Sequence, residues 1–162
     1  MNTTQKLYYS QLLRIILTLV ILYLPIPLFT KIILISLSDL IDCAQIYHSF
    51  FDWVDCKSDL YQKSDKITDI ICYVLLLLYI LKNDELSTRY KHILTGLLTL
   101  RLIGTFLFIS TNNRKYLFYF PNLFIEMALL FSIITYYKLS YKHSLVILVV
   151  IFKLIQEYIM HY

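Results

Sequence analysis

The chain has 162 residues, 59% of them hydrophobic, with 15 Lys and Arg against 11 Asp and Glu and a formal net charge of +4. That length suits one compact domain, residues 1–162, and not two, and a mean hydropathy of +0.65 exceeds that of ordinary soluble domains, so a bilayer is the natural solvent and partner. The basic residues stand at the ends of apolar runs, as Lys and Arg do around membrane segments, so the positive charge reads as anchoring and nucleic-acid binding is not expected.

At the N-terminus, Lys6 and Arg14 precede the apolar run 15–24 in the layout of a signal peptide. No small-residue cleavage site follows, the first alanine being Ala44, so a retained signal-anchor helix is expected. Residues 12–38 are too long for one simple span. Pro25 and Pro27 disrupt helical hydrogen bonding within them, which predicts a break near PIPLFTK and helices over about 12–29 and 31–51.

The third apolar run is short. From Ile67 to Leu81 it covers roughly 22 Å, against about 30 Å of hydrocarbon. A spanning helix must therefore begin near Tyr61 or Gln62, at about 62–82, which draws Asp65 and Asp69 into its first turns on one face. Asp39 and Asp42 share a face of the second helix near its middle. The stretch 38–80 holds seven of the eight aspartates, so consecutive helices supply two carboxylate pairs close to a membrane boundary.

Three further spans are expected at 92–110, 116–137 and 144–160, joined by TNNRK and KLSYKH, connections short enough to make them antiparallel neighbours. The fold class is all-α, a polytopic transmembrane bundle of six helices, with five as the alternative. Arg101, Glu126 and Lys153 fall near the middle of these spans. Each charge there costs about 2.5–3.5 kcal/mol on insertion scales, so all three should face the bundle interior, with Arg101–Glu126 the first expected pair. Asn122, Gln156 and Glu157 enlarge the set to a polar cavity; the alternative is ion pairs that only hold the helices together. Gly96 and Gly104 lie on nearly one face and permit close helix approach. Cys72 reads as a small buried hydrophobe, and Cys43, His48 and Cys56 match no zinc spacing.

The segments SDLIDC, at 38–43, and SDKITDIICYVLLLL, at 64–78, resemble the CDP-alcohol phosphatidyltransferases. That family runs D-x-x-D-G-x-x-A-R, eight residues, then G-x-x-x-D-x-x-x-D, across its second and third helices of six. Asp39 and Asp42 match the first pair, and Asp65 and Asp69 match the spacing of the last. Cys43 and Cys56 replace its glycines, Ile46 and Tyr47 its Ala-Arg, and the last pair falls five residues late. The resemblance implies Asp39, Asp42 and Asp65 as ligands of Mg2+ or another divalent cation, Asp69 as general base, and phospholipid head-group phosphotransfer as the activity. Two other readings stand beside it. Intramembrane charges also build small ion or proton channels and transporters, and an accessory or scaffold subunit needs no motif.

Overall fold

The computed structural model describes residues 3–39 and 58–161, and its regular structure there is entirely helical. The elements are α1 (Thr3–Tyr23), α2 (Leu28–Ser38), α3 (Asp59–Lys82), α4 (Thr88–Thr111), α5 (Lys115–Tyr119), α6 (Phe124–Tyr136) and α7 (His143–His161). Counting the short α5 with α6, six helices are described. α3 packs on α1 and α4, and α2 on α1 and α6. α6 joins α4 and α7, and α5 bridges the same two. Ile32, Leu76, Leu94, Phe124 and Phe131 lie wholly buried in the shared core.

Proline sets two of the helix ends. Pro25 and Pro27 stop α1 at Tyr23, short of the expected residue 29, and Pro27 then caps α2 in an extended conformation. Pro121 breaks the span expected over 116–137. It brings no N–H to the helical ladder and excludes helical geometry from the residue before it, so Phe120 sits at φ −122°, ψ 70° and the run divides into α5 and α6. Glu126 consequently lies in the first turn of α6 instead of mid-helix, where the positive end of the helix dipole favours a carboxylate. α2 likewise places Asp39 at its C-terminal cap, not near a helix middle. Asp42, with Cys43, His48 and Cys56, lies outside the described residues.

α3 has stronger local signals. The Ser58 side chain caps it by accepting the Tyr61 backbone N–H at 3.2 Å, Asp59 stands in its first turn and Lys82 in its last. α4 ends at Asn112, whose φ of 57° is the left-handed conformation that closes many helices.

α1 and α7 are amphipathic in the inverse sense to a helix in water. On α1 the buried stripe runs Leu7, Ser10, Gln11, Arg14, Thr18, Ile21, Leu22, at helical spacing, while Leu12, Leu13, Ile16 and Val20 are exposed. Among the described side chains of α7, Lys153 and Glu157 are the buried ones, and Ile147, Leu148, Ile151, Phe152 and Ile155 face outward.

Of the six expected spans, two of the described helical runs are long and apolar enough to cross a membrane by length and composition: α4 and the run Lys115–Tyr136. α2, over the 11 residues described, extends roughly 16 Å, about half of the hydrocarbon thickness. Gly104 marks a close approach, since a Cβ there would collide with Cβ of Phe120, whereas one at Gly96 would meet nothing within 4 Å. The shared glycine face expected of α4 is therefore a contact at one glycine only.

Candidate functional site

The polar members of the α1 stripe meet α3 turn by turn. The Ser64 hydroxyl donates to the Gln11 side-chain carbonyl, Arg14 reaches Asp65 and Asp69, and the Thr18 hydroxyl donates to Cys72 Sγ at 3.4 Å. Residue numbers rise together along both helices, so α1 and α3 run parallel. α2 runs back between their ends, which carries Asp39 to the level of Asp65 and Asp69.

The result is a cluster of three carboxylates around one guanidinium. Arg14, 3% exposed, donates through Nη1 to Asp65 Oδ1 at 3.0 Å and through Nη2 to Asp69 Oδ1 at 2.8 Å. The same Nη2 lies 2.6 Å from Asp39 Oδ1. Lys66 closes the second side, donating to Asp65 Oδ2 at 2.6 Å and Asp69 Oδ2 at 2.9 Å. Asp65 and Asp69 are buried, while the Asp39 side chain is 49% exposed and forms the open edge. With every group ionised, three negative charges face two positive ones, and one negative charge is left over.

One carboxylate oxygen from each of Asp39, Asp65 and Asp69 lies within 4.8 Å of the other two. Two ligands on opposite sides of a magnesium ion are about 4.2 Å apart, and on a calcium ion up to about 5.2 Å. The spacing therefore falls inside the span of a calcium-sized ion and needs slight contraction for magnesium, and an all-oxygen donor set is the chemistry that hard divalent cations take. The acidic cluster could hold a metal. The guanidinium of Arg14 stands among the same oxygens, so an ion would have to displace it.

The charges of the C-terminal half make a separate network. Lys153 Nζ lies 2.7 Å from Glu126 Oε1 and 3.8 Å from Glu157 Oε1, and donates to Gln156 Oε1 at 3.2 Å. The Asn122 backbone N–H donates to Glu157 Oε1 at 3.3 Å, and its side-chain amide donates to the Tyr73 hydroxyl at 2.9 Å. Asn122, Glu126, Lys153 and Glu157 are thus drawn together, with Gln156 on the exposed side of α7. Arg101 does not join them. It is buried, but its Nη1 donates to the backbone carbonyls of Phe120 at 3.1 Å and Leu117 at 3.4 Å, around the break before Pro121. The expected Arg101–Glu126 pair is replaced by Lys153–Glu126, because breaking the helix at Pro121 both frees carbonyls for Arg101 and moves Glu126 to a helix start.

Arg14, Lys66 and Tyr73 are the site residues that sequence reasoning missed. Arg14 read as the basic flank of a signal-anchor. Its helical phase with Gln11 and Thr18 was the signal that it points inward. No family model, no curated protein and no solved structure matches this chain.

Proposed function

We propose that the chain is a multi-pass integral membrane protein whose Asp39–Asp65–Asp69 cluster holds a divalent cation beside the phosphate of a lipid head group, in a phosphatidyltransferase-like reaction. The membrane reading is supported by the inverted amphipathy of α1 and α7. An outward face of Leu, Ile and Phe over a buried face of Arg, Lys and Glu is unfavourable in water and natural in lipid, where polar residues turn inward. The chemical reading is carried by one observation, the three carboxylate oxygens within 4.8 Å of one another.

When bound, a divalent ion neutralises charge on the phosphate and orients it for attack. The chain's own residues do the rest. Arg14, once moved from between the carboxylates, and Lys66 are the cations at hand for phosphate oxygens, Arg through its planar fork and Lys as a point charge. Asp69 sits one helical turn from Asp65; with one oxygen toward the ion, its other oxygen serves as the general base, taking the proton of the attacking alcohol as a new P–O bond forms and the bond to a nucleoside monophosphate breaks. Both Asp69 oxygens are held by Arg14 and Lys66, so one must let go before the proton arrives. The half-exposed Asp39 marks the side from which a head group enters.

The test is release of cytidine monophosphate from a CDP-activated lipid and a second alcohol, by purified protein in detergent with magnesium or manganese. Turnover should depend on the metal and fall at least a hundredfold in Asp65→Asn and Asp69→Asn, the scale on which loss of a general base acts. Absence of manganese binding together with absence of turnover would end the proposal.

A second reading rests on the pairing itself. Arg14 and Lys66 already engage both oxygens of Asp65 and of Asp69, which is the pattern of a clasp that fixes α1 on α3 in a scaffold or accessory subunit. Under that reading Asp65→Asn still destabilises the protein, but manganese does not bind.

A further inference from the structure

The other end of the α1–α2–α3 unit carries a second polar centre, built around Lys31. This residue stands in the first turn of α2 and is 4% exposed. Its ammonium donates to the Leu22 carbonyl at 2.9 Å and to the Tyr79 hydroxyl at 2.6 Å. Tyr79 in turn donates to Glu85 Oε1 at 2.9 Å. Both direct partners of Lys31 are neutral, and among the described residues no carboxylate pairs with it directly; the negative charge of Glu85 is one hydrogen bond away. An ammonium has three donors, and two are in use. A buried ammonium without a directly paired anion is costly, and an anion brought to it removes much of that cost.

Lys31 lines a cavity of about 830 Å³ between the α1–α2 turn and the C-terminal half of α3. The volume is in the range of small-molecule sites. Its walls are apolar, with Leu19, Leu22, Ile26, Leu75 and Leu78 among them, and its charged groups are Lys31, Lys82 and Glu85. With all three ionised, the lining carries a net single positive charge. The site is distinct from the aspartate cluster: Tyr79 lies ten residues beyond Asp69 on α3, roughly 15 Å along the helix.

We propose that this cavity binds one anionic lipid, with an acyl chain along the leucine wall and the phosphate of its head on Lys31, and Lys82 as the second cation. The apolar lining selects a chain-bearing ligand over a soluble anion, since every methylene taken out of water adds to binding. The cations select an anionic head over a zwitterionic one, whose own ammonium would stand against Lys31 and Lys82.

The experiment uses the full chain in detergent micelles, with fluorescent phosphatidylglycerol and phosphatidylcholine of the same acyl chains as probes and inorganic phosphate as soluble competitor. Phosphatidylglycerol should bind about tenfold more tightly, the scale of one charge-assisted hydrogen bond, and millimolar phosphate should not displace it. Lys31→Gln should abolish the preference while leaving phosphatidylcholine binding unchanged. Leu78→Trp, at an outward-facing wall position, should weaken both lipids by filling the cavity, and it decides the matter alone if Lys31→Gln does not fold. Equal affinity for the two lipids, an unchanged preference in Lys31→Gln, unchanged binding in Leu78→Trp, or displacement by inorganic phosphate would each overturn the proposal.

Discussion

The aspartate cluster and the Glu126–Lys153–Glu157 network use the same kinds of residue to different ends. In the first, three carboxylates from two helices converge on a single guanidinium, and acid exceeds base by one charge. In the second, one lysine lies between two glutamates, and the arginine that would balance them is turned to backbone carbonyls at the break before Pro121. Each network holds one acid more than its bases, so charge does not separate them; the first alone brings three carboxylate oxygens within 4.8 Å of one another among the described residues, which is the condition for taking up a metal. The second ties the start of α6 to α7 through Lys153 and leaves Glu126 Oε2 buried without a hydrogen bond among the described residues. Convergence of carboxylates, and not the number of buried charges, separates a candidate site from an internal fastening.

Removal of the central cation should break that comparison most sharply. Arg14→Met leaves three carboxylates facing one another with Lys66 as their remaining partner, and loss of one side of a buried pair typically costs about 3–5 kcal/mol. Thermal unfolding in detergent should therefore move down by many degrees. If the oxygens form a cation site, magnesium or calcium should restore the variant by occupying the vacated centre, by about 2.7 kcal/mol at a hundredfold excess over Kd. Lys153→Met should also destabilise, but with no divalent rescue. Equal rescue of both variants, or of neither, would erase the distinction drawn between the two regions.

The next test concerns which charges are coupled. A double-mutant cycle on Lys153 and Glu126 should give an interaction energy of about 1–3 kcal/mol, as groups in direct contact do. The same cycle on Arg101 and Glu126 should give less than about 0.5 kcal/mol, because Arg101 answers to Phe120 and Leu117. Coupling of Arg101 with Glu126 as strong as that of Lys153 would refute the assignment of partners.

The sequence made some of this legible and hid the rest for identifiable reasons. Apolar length and flanking polar residues place a helix over 92–110, and α4 runs Thr88–Thr111; for 144–160, α7 runs His143–His161. An apolar run too short to span places Asp65 and Asp69 within α3 and on one face, where both bind Arg14. Pro121 was visible, but a run of apolar residues on both sides masked its effect, and the mid-span position inferred for Glu126 fell with it. Arg14 was hidden by its neighbourhood, since a cation ahead of an apolar run looks like a membrane flank until its phase with Gln11 and Thr18 is followed. Lys66, between two aspartates of α3, had no feature of spacing to mark it.

The smallest expected effect separates the two glycines of α4 and reports on the helix break from its other side. Gly104→Ala places a methyl group against the Cβ of Phe120, an atom fixed by the backbone and unable to swing aside. Overpacking of this kind costs about 1–3 kcal/mol, and here it should also push the Phe120 carbonyl away from Arg101. Gly96→Ala meets open space and gains the better helix propensity of alanine, so it should be neutral or stabilising by up to about 1 kcal/mol. Unfolding midpoints of the two variants should therefore move in opposite directions or differ by several degrees. Equal midpoints would mean that α4 does not approach Phe120 closely at Gly104, and that the Arg101 contacts behind it are not what holds the break in place.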